Sequence, residues 1–458
     1  MNKLNWIFIL FFACTSTQDN QKIAIEDSSI LIRDVSVVDV RSGIIKPHQF
    51  LVIEDGLILS ISDNAEETEG LRSIDGRNKY LFPGLAEMHA HIPSPKNGRE
   101  YIDQTLFLYL SNGVTTVRGM LGHPIHLELR EDAINQRTLS PRIYTSSPSL
   151  NGRSVQTVED ARNKVNDYAD AGYDFLKLHP GIQDEVFDEI VRTAQSKNIT
   201  FSGHVSVDVG IRKAIRSEYA SIDHVDGYLE GLVPESQKVN PEENGFFGYN
   251  FTEMADTSKI SELVALTRKH KVWVVPTQSL FDRWFSPQDA HELALEPEMK
   301  YIWKSTLQNW VDSKNQLIDD ESYSAEQWEH FNTIRRKIIL ELQRNGHGLV
   351  LGSDAPQVFN VPGFSIHHEL DAMLRSGLTP LEALQSGTIN AAKFLGEEGK
   401  WGEIIKGASA DFLLLDNNPL ENLDNLKNPE GVMVRGRWLD RKFIKEQLDN
   451  IADSSKDN

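Results

Sequence analysis

The stretch LFPGLAEMHAH at residues 81–91 decides how this chain folds. Its Pro-Gly pair predicts a turn, and an apolar run then leads to two histidines. Because successive side chains of a strand point to opposite faces, His89 and His91 share one face. Two imidazoles held side by side form half of a metal site. A histidine pair with this spacing is common by chance, so its meaning depends on the rest of the chain.

Seven more strand-like runs follow, and amphipathic helices separate most of them. The helical pattern is clearest at residues 157–171, 183–197 and 324–345. Alternating strands and helices favour parallel βα units, and eight such units predict a (β/α)8 TIM barrel. A doubly wound open sheet is the alternative, although no Gly-rich dinucleotide fingerprint follows the first strand. The predicted strands are residues 80–91, 114–120, 142–150, 175–179, 199–205, 221–226, 272–280 and 348–355.

Short strand-like runs also lie at both ends of the chain. Residues 28–80 alternate apolar runs with turns and contain an Asp-Gly hairpin signal. Residues 401–440 show the same pattern. We expect these two regions to form one small β-sandwich domain beside a barrel domain at residues 81–400. The polar residues 441–458 predict a frayed tail.

The first fourteen residues have the pattern of an export signal. Lys3 precedes an apolar run of about eight residues, far fewer than the roughly 20 that span a bilayer. Cys14, the single cysteine of the chain, follows this run, and residues 15–27 are typical of a polar linker. The pattern resembles a bacterial lipoprotein signal in which Cys14 carries the lipid; a plain secretory signal and an uncleaved anchor are the alternatives. We therefore expect a periplasmic or cell-surface protein that is lipid-anchored.

Composition excludes several classes of protein. The chain has 40% hydrophobic and 25% charged residues, which is typical of a soluble globular protein. Its 67 acidic and 47 basic residues give a net charge of −20, which argues against a nucleic-acid partner held by phosphate contacts. With one cysteine, neither an intrachain disulfide nor a cysteine-based zinc cluster can form. A metal would therefore be held by His, Asp, Glu or Lys.

Five of the predicted strands end in residues that can hold a metal ion. In barrels of this kind, active-site groups lie at the C-terminal ends of the strands. Imidazole and carboxylate ligands suit zinc. We therefore predict one metal centre at the mouth of the barrel. Its candidate ligands are His89, His91, Lys177, His204, His224 and Asp354.

As an ordered set, the motifs resemble the amidohydrolase superfamily, in its imidazolonepropionase-like and prolidase-like branch. The resemblance covers nearly all of residues 28–440. Two positions depart from the usual pattern: Glu87 stands in place of Asp, and Gly119 in place of an acidic residue. The matching motifs are residues 81–91, NGVTTVR at 112–118, GYDFLK at 172–177, GHV at 203–205, SIDH at 221–224, GSDA at 352–355, GLTPLEAL at 377–384, TINAA at 388–392 and GASAD at 407–411.

The resemblance implies a hydrolase with one or two divalent metal ions, zinc foremost. The two histidines of the first strand and Asp354 would hold one ion, and His204 and His224 the second. Lys177, carboxylated by CO2, would bridge them. The alternative is an unmodified Lys177 that neutralises Asp354 in a one-metal site. A metal-activated hydroxide would attack the substrate, with Asp354 as general base.

Further residues near the strand ends are candidates for substrate contacts. Each has a structural alternative, such as a rim contact for Arg118 or a helix cap for His368, and we expect His126 at the surface. The candidates are Arg118, His123, His179, Tyr228 and His368.

Two insertions follow the sixth and seventh strands. The first covers residues 229–256, and the second, residues 281–330, holds four of the eight tryptophans. Long loops in a compact domain are usually functional or disordered, and the tryptophans argue against disorder. One interpretation is a helical lid over an apolar pocket. Extra helices packed on the barrel, or a dimer contact, are the other.

Together these features predict an exported metal-dependent hydrolase that cleaves amide bonds of dipeptides or N-acyl amino acids. Hydrolysis of cyclic amides, lactones or phosphotriesters on the same centre is one alternative. A surface lipoprotein that binds a ligand without turnover is another, but no metal ligand is missing. We expect a small-molecule or dipeptide substrate, no nucleic acid, and membrane contact only through the N-terminal lipid. Homo-oligomerisation is left open.

Overall fold

The computed structural model describes residues 29–64 and 71–456. The predicted signal peptide with Cys14 and the linker at residues 15–27 lie outside the described residues. Within the two described ranges, every helix is too short or too polar to cross a membrane.

The described residues contain fifteen strands. They are β1 Ile30–Val38, β2 Ile45–Glu54, β3 Leu57–Ser62, β4 Arg72–Asp75, β5 Tyr80–Pro83, β6 Leu85–Ala90, β7 Val114–Gly119, β8 Arg142–Thr145, β9 Phe175–Leu178, β10 Thr200–Gly203, β11 Ser221–Asp223, β12 Trp273–Val275, β13 Phe412–Leu415, β14 Gly431–Val434 and β15 Arg437–Asp440.

Helices separate the strands. Three of them, α3 Val158–Asp170, α4 Asp184–Lys197 and α11 Ala325–Asn345, begin and end within one residue of the three predicted helices. Thr157 and Asp160 form a capping box at the start of α3, which explains why this helix begins there. The helices are α1 Arg99–Ser111, α2 Pro124–Ile134, α3 Val158–Asp170, α4 Asp184–Lys197, α5 Gly210–Arg216, α6 Tyr228–Leu232, α7 Ile260–Lys269, α8 Gln278–Leu280, α9 Ala290–Ala294, α10 Lys304–Ile318, α11 Ala325–Asn345, α12 Ser365–Arg375, α13 Pro380–Ser386, α14 Ile389–Phe394 and α15 Arg441–Ser455. Short 3-10 segments lie at Pro95–Asn97, Glu235–Gln237, Pro241–Glu243, Phe246–Met254, Thr257–Lys259, Pro297–Tyr301 and Leu423–Leu426, with a π turn at Phe281–Phe285.

The parallel strands follow one another in the neighbour order of a TIM barrel. One sheet contains β6, β7 and β8, and a second contains β9 to β12. Residues 349–355 lie between β12 and β6, in the position of an eighth strand. Continuous ladders therefore cover two arcs, and single parallel bridges link them. These bridges join Ser146 to Phe175, Val274 to Leu349 and Ala90 to Ala355.

The first and last predicted barrel strands differ from the structure. The strand predicted at 80–91 is divided at Gly84, so that β5 joins the small sheet and only β6 joins the barrel. A Cβ atom at Gly84 would lie 2.1 Å from Thr115 Oγ1, so only glycine fits this junction. The strand predicted at 348–355 is paired through single bridges, without a continuous ladder.

Both ends of the chain contribute strands to one eight-stranded sheet. Its order is β15-β14-β13-β5-β1-β2-β3, and β4 pairs with β1. The β2–β3 hairpin turns at Asp55 and Gly56, whose φ angles of 49° and 78° are those that tight hairpins need. Leu51 and Phe412, one from each end of the chain, lie in the same buried cluster. The two termini therefore share a small β domain.

Residues 441–455 form a packed helix, so the prediction of a frayed tail is wrong for this described part of residues 441–458. In α15, Ile444 and Ile451 are buried seven residues apart, and the side chain of Asp440 caps the helix by accepting a hydrogen bond from Phe443 N. The overall polarity of the segment hid this apolar stripe. Such a stripe is the signal of an amphipathic helix.

The second insertion is packed against the rest of the protein. Trp310 and Trp328 are both buried. Lys314 of α10 is fully buried, and its ammonium donates hydrogen bonds to the carbonyls of Arg283 at 2.7 Å and Ser286 at 2.6 Å. Burial lowers the pKa of Lys314 to about 7. The insertion is thus an ordered part of the fold above the C-terminal ends of the strands.

Candidate metal centre

Three side chains from the first and eighth strand positions converge at the C-terminal end of the parallel strands. His91 Nε2 lies 2.8 Å from Asp354 Oδ1, and His89 Nε2 lies 3.5 Å from the same oxygen. One ligand atom from each residue falls within 4.8 Å of the other two. Two imidazoles and a carboxylate at these separations can hold a divalent ion.

Two further imidazoles lie next to this group. The ring of His224 is 4.5 Å from the rings of both His89 and His204, measured between centroids. His204 Nδ1 lies 3.1 Å from Asp226 Oδ2, and His224 Nδ1 lies 2.8 Å from Thr277 Oγ1. Because these partners engage Nδ1, Nε2 is the nitrogen left to bind a metal in each ring.

Lys177 lies fully buried among these groups. Its nearest carboxylate is Asp223, whose Oδ2 is 3.5 Å from Lys177 Nζ. The amine makes no hydrogen bond within the described structure, and burial lowers its pKa. A buried amine that makes no hydrogen bond is costly. A carboxylated lysine in its place would present anionic oxygens to a cation.

Sequence reasoning missed Asp223 as a member of the site. Strand alternation predicts that only one of two neighbouring residues faces the centre. His224 has a left-handed backbone with φ 63°, which turns the chain so that both Asp223 and His224 point inward. Asp223 Oδ2 lies 3.3 Å from His89 Nδ1. The motif SIDH contains Asp223, but the alternation of side chains along a strand does not predict that Asp223 points to the centre.

The electrostatics of the cluster fit a divalent cation. Burial lowers the pKa of His89 and of His224 well below the ordinary value, so both rings are neutral, which is the form that binds metal. Buried atoms of three members also lack a hydrogen-bond partner in the described structure. These atoms are His89 Nδ1, Asp223 Oδ2 and Asp354 Oδ1.

Glu87 ties the first strand to the eighth beside these ligands. Its Oε1 accepts hydrogen bonds from His89 N at 3.0 Å and Ser353 N at 2.9 Å, and its Oε2 accepts one from Ser353 Oγ. Burial raises the pKa of Glu87 to about 8. The glutamate that replaces the usual aspartate at this position therefore still supports the backbone on either side of the site.

His179 is the substrate candidate that lies beside the centre. Its ring stacks on His204 with centroids 5.2 Å apart, and its Nδ1 lies 2.8 Å from Ser149 Oγ. Burial lowers the pKa of His179 to about 2, so the ring is neutral. It adds a further imidazole to the wall of the site.

Arg118 and Tyr228 are not placed to contact a substrate, contrary to the expectation. Arg118 is buried, donates to Met88 O at 3.2 Å and Ser221 Oγ at 3.1 Å, and so ties strands together inside the barrel. Tyr228 is also buried, and its hydroxyl lies 2.7 Å from Thr267 Oγ1. A position near a strand end did not reveal that these side chains point into the protein.

The remaining histidines near the strand ends have structural roles. The side chain of His123 caps α2. His126, expected at the surface, is buried, and its Nε2 lies 3.2 Å from Pro93 O.

His368 contacts Glu298, with 2.7 Å between His368 Nε2 and Glu298 Oε1. Glu296 joins them in a second group of close ligand atoms. Arg283 pairs with both of these glutamates, so its guanidinium already supplies the positive charge that this group would otherwise take from a metal ion.

The two insertions meet above His204 and His224. The ring of Phe247, from the first insertion, lies 5.8 Å from His204 and 5.4 Å from His224. The ring of Trp284, from the second insertion, packs on Phe246 with ring centroids 5.4 Å apart. The aromatic residue next to the proposed ligands His204 and His224 is thus Phe247. Among the described ring contacts, no tryptophan lies beside either histidine.

Arg335 of α11 is a second residue that sequence reasoning missed. Its Nη1 donates to the carbonyl of His224 at 2.9 Å, and its guanidinium lies 3.4 Å from the centroid of the Phe281 ring. Burial lowers the pKa of Arg335 to about 9. A charged residue in a helical pattern is expected to face solvent, so nothing in the sequence marked it.

Imidazoles, a carboxylate and a buried lysine at the carboxyl ends of parallel strands form the arrangement of a metal-dependent hydrolase on a TIM-barrel frame. The chain belongs to the amidohydrolase family, whose model matches residues 80–439. It is therefore a hydrolase that acts on carbon–nitrogen bonds. Enzymes of this family generally use divalent metal ions.

Comparisons with known proteins agree with this assignment. An ochratoxinase from Aspergillus niger is 23% identical over 417 residues, which cover 83% of this chain and 80% of the relative. The solved structure of a bottromycin amidohydrolase has a TM-score of 0.72 at 21% identity and covers 93% of this chain and 90% of that protein. A Xaa-Pro dipeptidase with bound methionine has a TM-score of 0.62 at 19% identity and covers 90% of this chain and all of that protein. At these identities the solved structures support the TIM-barrel fold.

Proposed function

We propose that this chain hydrolyses amide bonds of small peptides or N-acyl amino acids. The observation that carries the proposal is the convergence of His89, His91 and Asp354, whose ligand atoms lie within 4.8 Å of one another. The family assignment supports cleavage of a carbon–nitrogen bond. Similarity to proteins named as a dipeptidase and as an amidohydrolase supports a peptide-like substrate.

In this proposal, zinc is held by the ligands that the motifs implied. A bound divalent ion supplies Lewis acidity, which lowers the pKa of coordinated water from 15.7 to about 7 and polarises a carbonyl. The burial of the Lys177 amine and its lack of a hydrogen bond within the described structure support its carboxylation. If the lysine is unmodified, its nearest carboxylate is Asp223, not the Asp354 of the simpler alternative. The proposed ligands are His89, His91, Lys177, His204, His224 and Asp354.

Asp354 is the proposed general base. Its Oδ1 is buried, lies near both histidines of the first strand, and makes no hydrogen bond within the described structure. This oxygen can accept a proton from the attacking water and deliver it to the leaving amine. Asp226 and Thr277 hold the rings of His204 and His224 in orientation, and the ring of Phe247 lies beside His204 with centroids 5.8 Å apart.

Three further proposals concern the frame and the location of the protein. We propose that the two arcs of parallel strands close into one barrel and that the terminal sheet folds over as a small β-sandwich.

We also propose export and lipidation at Cys14, on the strength of the N-terminal motif. Replacing Cys14 by alanine should release the protein from membranes in cell fractionation, and a variant that stays membrane-bound would reject this anchor.

The experiment that tests the function is amine release from a panel of dipeptides and N-acyl amino acids by the zinc-loaded full-length chain. We expect selective release by the wild type and by His48→Asn, because His48 is an exposed residue of the small β domain that contacts Asp34. The matched variant His89→Asn should lose both zinc and activity. Zinc-loaded wild type that releases no amine from any member of the panel would overturn the proposal.

A further inference from the structure

An aromatic pair stands beside the imidazoles at one side of the metal centre. The ring of Phe247 lies 5.8 Å from His204 and 5.4 Å from His224, and Phe246 lies 4.8 Å from Phe247. Both phenylalanines and His204 are partly exposed, whereas His224 is buried. A molecule that reaches the metal ligands from this side therefore meets aromatic rings.

Aromatic rings from the second insertion pack against Phe246 and Phe247. Phe281 lies 5.1 Å from Phe247, while Trp284 lies 5.4 Å and Phe285 4.8 Å from Phe246. These contacts bring together two insertions that are separate in the chain. The result is a continuous aromatic wall, defined here as Phe246, Phe247, Phe281, Trp284 and Phe285.

Hydrogen bonds on both sides hold the loop that carries Phe246 and Phe247 in place. Phe247 has a left-handed backbone with φ 51° and ψ 43°, which is unfavourable for any residue with a side chain. Asn244 Nδ2 donates to Glu230 Oε1 at 2.8 Å, and Tyr249 OH donates to Ser324 O at 3.0 Å, so both sides of the turn are anchored. Strained backbone of this kind persists where the surroundings enforce it and clusters at ligand clamps. The direction of the Phe247 ring is therefore set before a substrate arrives.

The chemistry of the wall selects one kind of group. A carboxylate side chain placed against it would lose hydration without gaining a partner, and a cationic side chain would gain only a ring contact of the kind that Arg335 makes on Phe281. An aromatic side chain would bury apolar area and also stack on the rings. The scissile amide must lie at the metal ligands. Because Phe247 is next to the ligands His204 and His224, the substrate group that contacts the wall is the side chain adjacent to that amide.

We propose that Phe246 and Phe247 form a substrate subsite for an aromatic side chain adjacent to the scissile amide. This inference rests on the proposed amide hydrolysis. It narrows the substrate class to N-acyl aromatic amino acids and to dipeptides that contain an aromatic residue.

The test compares two substrates that differ only in the side chain, N-acetyl-L-phenylalanine and N-acetyl-L-alanine. We expect the zinc-loaded full-length wild type to favour the aromatic substrate in kcat/KM by about tenfold or more. Phe247→Ala should lose most of this preference, and Phe247→Leu, which keeps apolar volume at the same position, should lose part of it. The control is Phe443→Ala, because Phe443 is also partly buried but contacts Phe107 near the C-terminal helix.

Calorimetric binding of L-phenylalanine and L-alanine provides a readout that needs no turnover. The same variants should lose the preference for the aromatic amino acid, while Phe443→Ala keeps it. Absence of hydrolysis with a Phe247-dependent binding preference would reject the proposed function and keep the aromatic subsite. Equal binding of the two amino acids, or a preference that survives Phe247→Ala and Phe247→Leu, would overturn the subsite.

Discussion

Replacing Arg335 by methionine tests how the proposed metal ligand His224 is held. The buried guanidinium of Arg335 donates to the His224 carbonyl at 2.9 Å. His224 and Val225 have φ angles of 63° and 55°, a left-handed backbone that costs roughly 1–2 kcal/mol per residue. Arg335 therefore stabilises a strained turn that points an imidazole at the metal centre.

The size of the effect follows from the loss of this hydrogen bond. Methionine fills a similar volume but donates no hydrogen bond, and a bond from a charged donor is worth about 1.5–3 kcal/mol. Since about 1.4 kcal/mol corresponds to a factor of ten, the zinc dissociation constant should rise about 10- to 100-fold. The same range applies generally to groups that orient metal ligands.

Competition with a fluorescent zinc chelator measures this affinity on the full-length chain, and thermal unfolding of the metal-free protein reports separately on folding. Arg336→Met is the matched control, because Arg336 is the next residue of α11 and pairs with Asp282 at 3.4 Å. Arg335→Lys keeps the charge and should recover part of the affinity. An Arg335→Met chain that binds zinc within about twofold of the Arg336→Met chain would refute the reasoning.

Three other changes test the site and the fold. Lys177→Ala should lose most activity because the proposed bridging ligand is gone, and added acetate or formate should restore part of it; no recovery in a variant that still binds zinc would contradict carboxylation. Asp354→Asn should lower kcat at least about 100-fold and weaken zinc binding, whereas near-normal turnover would reject the general base. Burial raises the pKa of Glu369 from 4.5 to about 7, so the free energy of unfolding should fall as pH rises through this window. In urea titrations, the wild type should lose about 2.5 kcal/mol more than Glu369→Gln between pH 5 and pH 8, and parallel pH profiles would show that Glu369 is not the cause.

Periodic patterns predicted most of the frame because they report burial directly. The helices α3, α4 and α11 begin and end within a residue of their predicted positions, since their apolar stripes and caps are both visible in the sequence. The division at Gly84 was not visible. Residues on both sides of Gly84 are apolar and extended, and pattern alone cannot tell which of two sheets a strand joins.

The candidate ligands could be predicted because the motifs place them at strand ends, where side chains meet by topology. Their partners could not. Asp223 reaches the centre only because His224 adopts a left-handed backbone, and Arg335 reaches the same turn from a helix far along the chain. Arg118 and Tyr228 also follow strands, but their partners inside the protein decide their directions. A single sequence does not show such long-range contacts.

Metal titration of amide hydrolysis tests the central claim most directly. The full-length wild type would be stripped with a chelator, reloaded with zinc in steps, and assayed at each step for amine release and bound metal. The proposed metal-dependent hydrolase should be inactive when stripped, and its activity should rise with bound zinc and stop rising at one or two equivalents per chain. Amine release that continues undiminished in the metal-free chain would contradict the claim.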